Sequence, residues 1–158
     1  MSTYNCTIRT NYFKVNNEDA FLELMKHVQG AENKVEVFSL VESGVKKFAF
    51  GCYGAIVGID EDFYLQENHI DPTNEDEFDE DDFTENRYFM FVEHLQTLVA
   101  EDDAIIIYEA GNEKFRYVVG SAELITREKT EYLEIKDFAR MRVAQLLDNP
   151  SWTTRSDN

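Results

Sequence analysis

Apolar residues recur along this chain with two periods, and the switch between them marks out the elements. Residues 4–13 mix Thr, Ile, Tyr and Phe in loose alternation and predict a strand. Asn16-Asn17-Glu18-Asp19 then supplies a helix cap and first-turn acids. Phe21, Leu24, Met25 and Val28 follow at helical spacing, and Gly30 is expected to close that helix. Val35, Val37, Phe38, Leu40 and Val41 predict a strand, which Glu42-Ser43-Gly44 turns into another over Val45–Phe50. The clearest amphipathic helix runs through Tyr88, Phe91, Val92, Leu95, Leu98 and Val99. Ala104–Tyr108 is a short buried strand, and Gly111-Asn112 is expected to turn it into Lys114–Glu123. Leu124–Leu133 adds a hairpin through Glu128-Lys129. A last helix starts near Lys136, with Phe138, Ala139, Val143, Leu146 and Leu147 as its expected buried face, and Pro150 prevents its continuation.

Helices interleaved with hairpins predict an α+β fold: a largely antiparallel sheet with about three helices packed on it. One domain over residues 1–150 is expected, with an acidic insert at about 60–85 and a C-terminal tail at 151–158 that holds the only tryptophan. The order helix-then-hairpin occurs twice, but without a residue-level repeat to support a duplication. The run Gly51-Cys52-Tyr53-Gly54-Ala55-Ile56-Val57-Gly58 fits neither a dinucleotide fingerprint nor a phosphate loop. It predicts a bent strand that another backbone approaches closely.

Charge changes this picture most. The formal net charge is −17. Asp60–Glu85 contains thirteen acids and no Lys or Arg, so it carries −13. The rest of the chain has 15 basic and 19 acidic residues, or −4. After Lys47 the next cation is Arg87. Such local acidity does not fit a halophilic surface, where acids spread everywhere. It argues against direct binding to nucleic acid or an anionic membrane, because phosphate binders present Lys and Arg patches. At 43% hydrophobic and 13% aromatic the chain is rich enough to fold. With no apolar run of membrane length and no leader-like N-terminus, a cytoplasmic location is expected. Two cysteines, Cys6 and Cys52, are too few for a disulfide framework.

Candidate chemistry is sparse. His27, His69 and His94 do not combine with the cysteines at metal-ligand spacing, and no nucleophile elbow occurs. Asp76-Glu77-Phe78-Asp79-Glu80-Asp81-Asp82 offers oxygens to a cation but lacks the spacing and glycine of a calcium loop. Acid–base catalysis needs a carboxylate raised by burial, which this crowded run does not suggest. No enzyme activity and no cofactor are expected. A carboxylate-metal hydrolase is kept as a third, minor reading.

The acidic run has a bland reading as a solvated, extended segment, favoured by mutual repulsion and by Pro72-Thr73-Asn74. Against that, it is internal and carries Phe63, Tyr64, Leu65, Ile70, Phe78 and Phe83, which can pin it to the domain. The sharper reading is nucleic-acid mimicry. Thirteen charges in twenty-six residues fall about every 3 Å in a helix rising roughly 1.5 Å per residue. Phosphates along one DNA strand are about 3.4 Å apart. The expected partner-binding residues are Asp60, Glu61, Asp62, Glu67, Asp71, Glu75, Asp76, Glu77, Phe78, Asp79, Glu80, Asp81, Asp82, Phe83 and Glu85. A turn of Asn112, Glu113, Lys114 and Arg116, together with Trp152, is a second candidate surface, though turn chemistry and packing account for those residues too.

The blocks Arg9-Thr10-Asn11-Tyr12-Phe13-Lys14-Val15, Phe50-Gly51-Cys52-Tyr53-Gly54, Glu109-Ala110-Gly111-Asn112-Glu113-Lys114-Phe115-Arg116-Tyr117-Val118 and Asn149-Pro150-Ser151-Trp152-Thr153-Thr154 resemble acidic accessory proteins of conjugative plasmids, integrative elements and phages. The resemblance implies a mobile-element context, in which antirestriction and anti-CRISPR proteins are common, and assigns no active site. It raises one expectation above the rest. The chain would be a non-enzymatic acidic inhibitor in the DNA- or RNA-binding groove of a host defence nuclease. The alternative is a general protein-interaction module whose acidic run serves only solubility.

Overall fold

A computed structural model of the chain describes residues 4–115 and 117–154. Six strands form one antiparallel sheet: β1 (Asn5–Thr10), β3 (Glu36–Glu42), β4 (Val45–Tyr53), β6 (Ile105–Glu113), β7 (Tyr117–Ile125) and β8 (Thr130–Glu134). Their order across the sheet is β3-β4-β1-β6-β7-β8. Strands β2 (Val28–Gly30) and β5 (Ile56–Ile59) make a separate two-stranded ribbon. The helices are α1 (Glu18–Lys26), α2 (Glu61–Glu67), α3 (Glu80–Leu98) and α4 (Ile135–Leu146), with a 3-10 turn at Glu75–Glu77. The fold is α+β, as the interleaved pattern predicts, with one more helix than expected.

Alternation along the strands sends Ile8, Phe48, Phe50, Cys52, Ile105, Ile107 and Ile125 to one face of the sheet. There they meet Phe21, Leu24 and Met25 of α1 and Phe91, Val92, Leu95 and Leu98 of α3 in a single core. Phe13 stands edge-on to both Phe21 and Phe50, with centroids 5.5 and 6.2 Å apart, and Phe50 meets Phe91 at 5.8 Å. The buried Thr10 hydroxyl accepts from Phe50 N at 3.0 Å and donates to the Asn11 carbonyl.

The first strand stops at Thr10 rather than at residue 13. The Asn11 side chain takes over the pairing: Oδ1 accepts from Ile106 N at 2.8 Å and Nδ2 donates to the Ala104 carbonyl. Phe13 then rejoins β4 as an isolated bridge to Phe48. Helix α1 ends at Lys26, with His27 N–H bonded back to Leu24, and Val28–Gly30 pairs with β5. Gly30 therefore does not close the helix. A Cβ there would lie 2.7 Å from the Cys52 sulfur and closer still to the Asn33 carbonyl.

The expected turn at Gly111-Asn112 is also displaced. Both residues sit inside β6, paired to Val119 and Val118. A Cβ on Gly111 would fall 2.4 Å from the Tyr4 hydroxyl, so this glycine serves a close approach, not a turn. Lys114 takes the positive φ instead. At Gly58 the expected approach of another backbone is present: φ is +122°, and a Cβ would meet the Arg87 carbonyl oxygen at 2.4 Å. Arg87 fastens α3 to the ribbon, donating from Nε to the Ile59 carbonyl and from Nη2 to Gln29.

Candidate interaction surfaces

The acidic run is folded, contrary to its reading as an extended loop. Asp60 caps α2, its Oδ1 accepting from Phe63 N at 2.9 Å. Asp79 caps α3, accepting from the N–H groups of Asp81 and Asp82. The acids that follow, Glu61 and Asp62 in one helix and Glu80, Asp81 and Asp82 in the other, occupy first turns. There the helix dipole and the unpaired N–H groups favour negative charge. Seven of the thirteen acids thus sit where a helix start stabilises them, which offsets the repulsion expected of so dense a run.

Between the helices, Asp71 accepts from both the N–H and the hydroxyl of Thr73, at 2.9 and 2.8 Å. These bonds hold its carboxyl below the usual range. Glu77 accepts from Asp71 N at 3.2 Å, and Asn74 caps the 3-10 turn. Pro72 and the turn around it interrupt a single helix without disordering it.

Aromatic packing holds the run to the domain. Tyr64 is buried, with the rings of Phe83 and Phe78 at 5.2 and 5.9 Å. Its hydroxyl donates to Asp82, and Asp82 also accepts from the Asn86 amide. That bond, together with burial, pushes the Tyr64 phenol up to about 12. Phe63 lies between the rings of His27 and His94, at 5.6 and 4.9 Å. His27 in turn contacts Asp60 at 2.9 Å, and His94 contacts Glu67 at 3.5 Å.

These contacts sort the expected partner-binding residues. Phe83 is only 8% exposed, and Asp60 is half-buried against His27, so neither belongs to an outer contact surface. Phe78 is half-buried over Tyr64 and Phe83, and serves the hub more than a partner. Glu67, Asp71, Glu77, Asp79 and Asp82 are exposed but engaged as described above. Glu61, Asp62, Glu75, Asp76, Glu80, Asp81 and Glu85 are exposed, and no side-chain bond holds them among the described residues. All seven lie on the α2–turn–α3 unit.

The second surface was not legible in the sequence. Helix α4 follows β8 directly and lies on the sheet face opposite the core. A Cβ on Gly120 would come 3.1 Å from Ile135 Cγ2, and Gly120 alternates with the core-facing residues of β7. Expectation made Phe138, Ala139, Val143, Leu146 and Leu147 a buried face. No residue of α4 is buried, and Phe138 and Leu146 are 57% and 67% exposed. The inward side carries Lys136, Arg140, Val143 and Ala144, all half-buried. Phe138, Met141 and Leu146 are more than half exposed, and Ile135 rests on Gly120 with much of its surface still open. Beside them runs an apolar groove of about 440 Å³, floored by Ala110, Gly120 and Ala122 and walled by Tyr108, Leu133 and Phe138.

Trp152 packs back onto the C-terminal half of α4, beside Met141, Ala144 and Pro150. Asn112 and Glu113 end the β6 strand, Lys114 lies in the turn after it, and Arg116 lies outside the described residues. Cys6 and Cys52 are free thiols, and burial raises both. Among the described residues no helix is long and apolar enough to cross a membrane, and no group of three or more His, Cys, Asp or Glu side chains is gathered to hold a metal ion. No family model, curated protein or solved structure matches the chain.

Proposed function

We propose that this protein is a non-enzymatic acidic inhibitor that acts in the cytoplasm by occupying the nucleic-acid groove of a basic protein, a defence nuclease of the CRISPR or restriction type. One observation carries the reading: seven exposed acids stand on a helix–turn–helix unit whose backbone is capped and packed onto the domain. Charges fixed before binding lose less freedom on docking than charges on a loose loop. Two helix starts rich in carboxylates also give phosphate-like density, since residues in a helix rise about 1.5 Å and phosphates lie about 3.4 Å apart along a strand. The resemblance to mobile-element accessory proteins supplies the context for such a target.

Binding of this kind is fast, electrostatically steered and weakened by salt. The test is a binding titration against purified CRISPR and restriction nucleases, run over a salt series with duplex DNA as competitor. The variant carries Gln or Asn at Glu61, Asp62, Glu75, Asp76, Glu80, Asp81 and Glu85, which leaves both helix caps and the Tyr64–Asp82 bond intact. It moves the formal charge from −17 to −10 by removing seven negative charges. The expected result is competition with DNA, a steep salt dependence, and at least a tenfold loss of affinity in the variant. Undiminished binding by the variant rejects the acidic unit as the contact. The exposed apolar side of α4 favours the second reading, an interaction module that works through another face.

A further inference from the structure

We propose that β3 of one copy pairs with β3 of a second copy, antiparallel and across a two-fold axis at Ser39, so that two six-stranded sheets join edge to edge. Among the described residues β3 is the last strand of its sheet and pairs only with β4. Its outer edge therefore presents unpaired backbone groups, and the bonds of its neighbour tell which ones. Phe48 exchanges N–H and carbonyl bonds with Phe13, and Phe50 N–H donates to the Thr10 hydroxyl, so both turn away from β3. Ser39 and Val37 stand opposite them. In a pair of this kind both residues direct N–H and C=O outward, and Val41 follows the same alternation. Val37, Ser39 and Val41 thus offer donors and acceptors to a further strand.

Sheet edges are usually blunted by charge, Pro or a bulge. The opposite edge, β8, has five residues, includes Glu131 and Glu134, and runs directly into α4. In β3 the uncharged residues Val37–Val41 stand in a row without Pro, and its seven pairs with β4 show no register shift. Val41 is 69% exposed.

The sequence of the edge selects the occupant. Glu36-Val37-Phe38-Ser39-Leu40-Val41-Glu42 reads nearly alike in both directions. Turned about Ser39, it sets Val37 opposite Val41 of the other copy, Phe38 opposite Leu40, and Ser39 opposite Ser39. The outward-facing residues then meet only one another, and each such pair exchanges two bonds, roughly six in all. Paired β-branched residues and paired hydroxyls are favourable cross-strand neighbours. Val37 and Val41 share the face of β4 that carries Phe48 and Phe50. The incoming Val41 therefore sits beside Val37, at a cleft of about 700 Å³ lined by Leu22, Met25, Val28 and Val35. An isologous contact uses this arrangement twice.

Charge permits the same pairing. Glu36 meets Glu42 of the other copy at each end, but Lys34 precedes Glu36 and Lys47 lies 3.6 Å from Glu42. Each end thus gathers two acids and two lysines. Residues 33–59 hold three cations (Lys34, Lys46, Lys47) and two acids (Glu36, Glu42), a net +1, which leaves −18 on the remainder. Two copies of so acidic a chain approach with least repulsion along this edge.

The experiment is sedimentation equilibrium of the full chain, from micromolar to hundreds of micromolar, with amide exchange by NMR over the same range. The expected result is a rise from one chain mass to two, stronger in high salt as repulsion is screened. Exchange is expected to slow at Val37, Ser39 and Val41 but not at Phe38 and Leu40, which already bond to β4. Ser39→Pro removes an outward N–H without costing β4 a bond, and Val41→Lys puts a charge on the exposed edge. Each is expected to weaken association at least about tenfold while circular dichroism stays unchanged. Val41→Lys keeps the test sharp if the proline disturbs the strand. A chain that stays monomeric overturns the proposal, and so does a dimer that both variants leave intact or one whose slowed amides lie elsewhere. A monomer whose same three amides are slowed by an added peptide of alternating Val and Thr overturns it in favour of a foreign strand. The seven-acid variant that tests nuclease binding leaves β3 untouched and is expected to dimerise at least as well as wild type, so the two proposals fail separately.

Discussion

The two ends of the chain's acidic and apolar extremes follow opposite rules. In the α2–turn–α3 unit, the densest charge in the sequence lies outside and every aromatic except Phe89 turns at least partly inward. In α4, three cations and few acids accompany an apolar stripe, and the stripe faces water. The first arrangement completes its own packing. The second leaves packing unfinished, and an unfinished face is where a folded protein meets something else. The surface that looks most interactive by charge is thus the better-built part of the molecule, and the surface with the unspent apolar area is elsewhere.

The sharpest way to break this contrast is to remove one aromatic from each region. Phe83 fills the space among Tyr64, Phe78 and Arg87, with the guanidinium 4.6 Å from its ring. Phe83→Ala is expected to cost about 3–5 kcal/mol, the usual loss for a buried aromatic. Phe138→Ala is expected to change the stability of a single chain by less than about 0.5 kcal/mol, as for an exposed site without special contacts. Urea unfolding of both variants at low micromolar concentration, with circular dichroism as the probe, measures the difference. Equal losses would mean that α4 is as deeply packed as α3, contrary to the burial described here.

The next effect is smaller and depends on pH. Tyr64 donates its phenol hydrogen to Asp82, and the folded state lifts its pKa from 10.0 to about 12. A raised folded pKa means that the protonated phenol stabilises the fold. The contribution is fully present below pH 10 and lost as pH rises through 12. A hydrogen bond to a charged partner contributes about 2 kcal/mol. Tyr64→Phe is expected to lose about that much at pH 7, and the gap to wild type should narrow above pH 10 and close near pH 12. Burial and a bond to Glu123 at 2.6 Å raise Tyr88 in the same direction, so wild type weakens further in alkali. A gap that stays constant to pH 12 would show that the Tyr64–Asp82 bond does not carry the effect.

What was legible in the sequence follows from which principle had no competitor. Ser43-Gly44 turns β3 into β4 as its residues require, with φ of 52° and 77°. The periodic stripe of α3 faces the core because six apolar positions leave it no other choice. Gly111 and Gly30 misled because glycine answers two needs, a turn and a close neighbour; Tyr4, against Gly111, lies far away in sequence, and Gly30 is crowded both by the nearby Asn33 carbonyl and by the distant Cys52 sulfur. Repulsion among thirteen acids favours an extended run, but the helix-start preference of Asp and Glu outweighs it, and its signal in the sequence is Asp60 and Asp79, each followed by further acids. The α4 stripe misled for a different reason. Periodicity tells which side of a helix is apolar, and not whether that side meets its own chain.

Capping gives the finest test of the comparison. Both acidic helices begin on a side chain that bonds a free N–H, Asp60 in α2 and Asp79 in α3. Helix α4 begins at Glu134 with no such bond. Its backbone there is extended (φ −110°, ψ 136°), which suits a serine cap, and Asp137 stands three residues on. Glu134→Ser is therefore expected to stabilise α4 by about 1 kcal/mol. Because no α4 residue is buried, that gain should be local. Amide exchange over residues 136–146 is expected to slow about fivefold, the rate equivalent of 1 kcal/mol, while the urea midpoint of the core stays put. A rise in the global midpoint instead would mean that α4 unfolds with the sheet as one unit, and that its packing on Gly120 and Ala122 couples it to the core despite the exposed stripe.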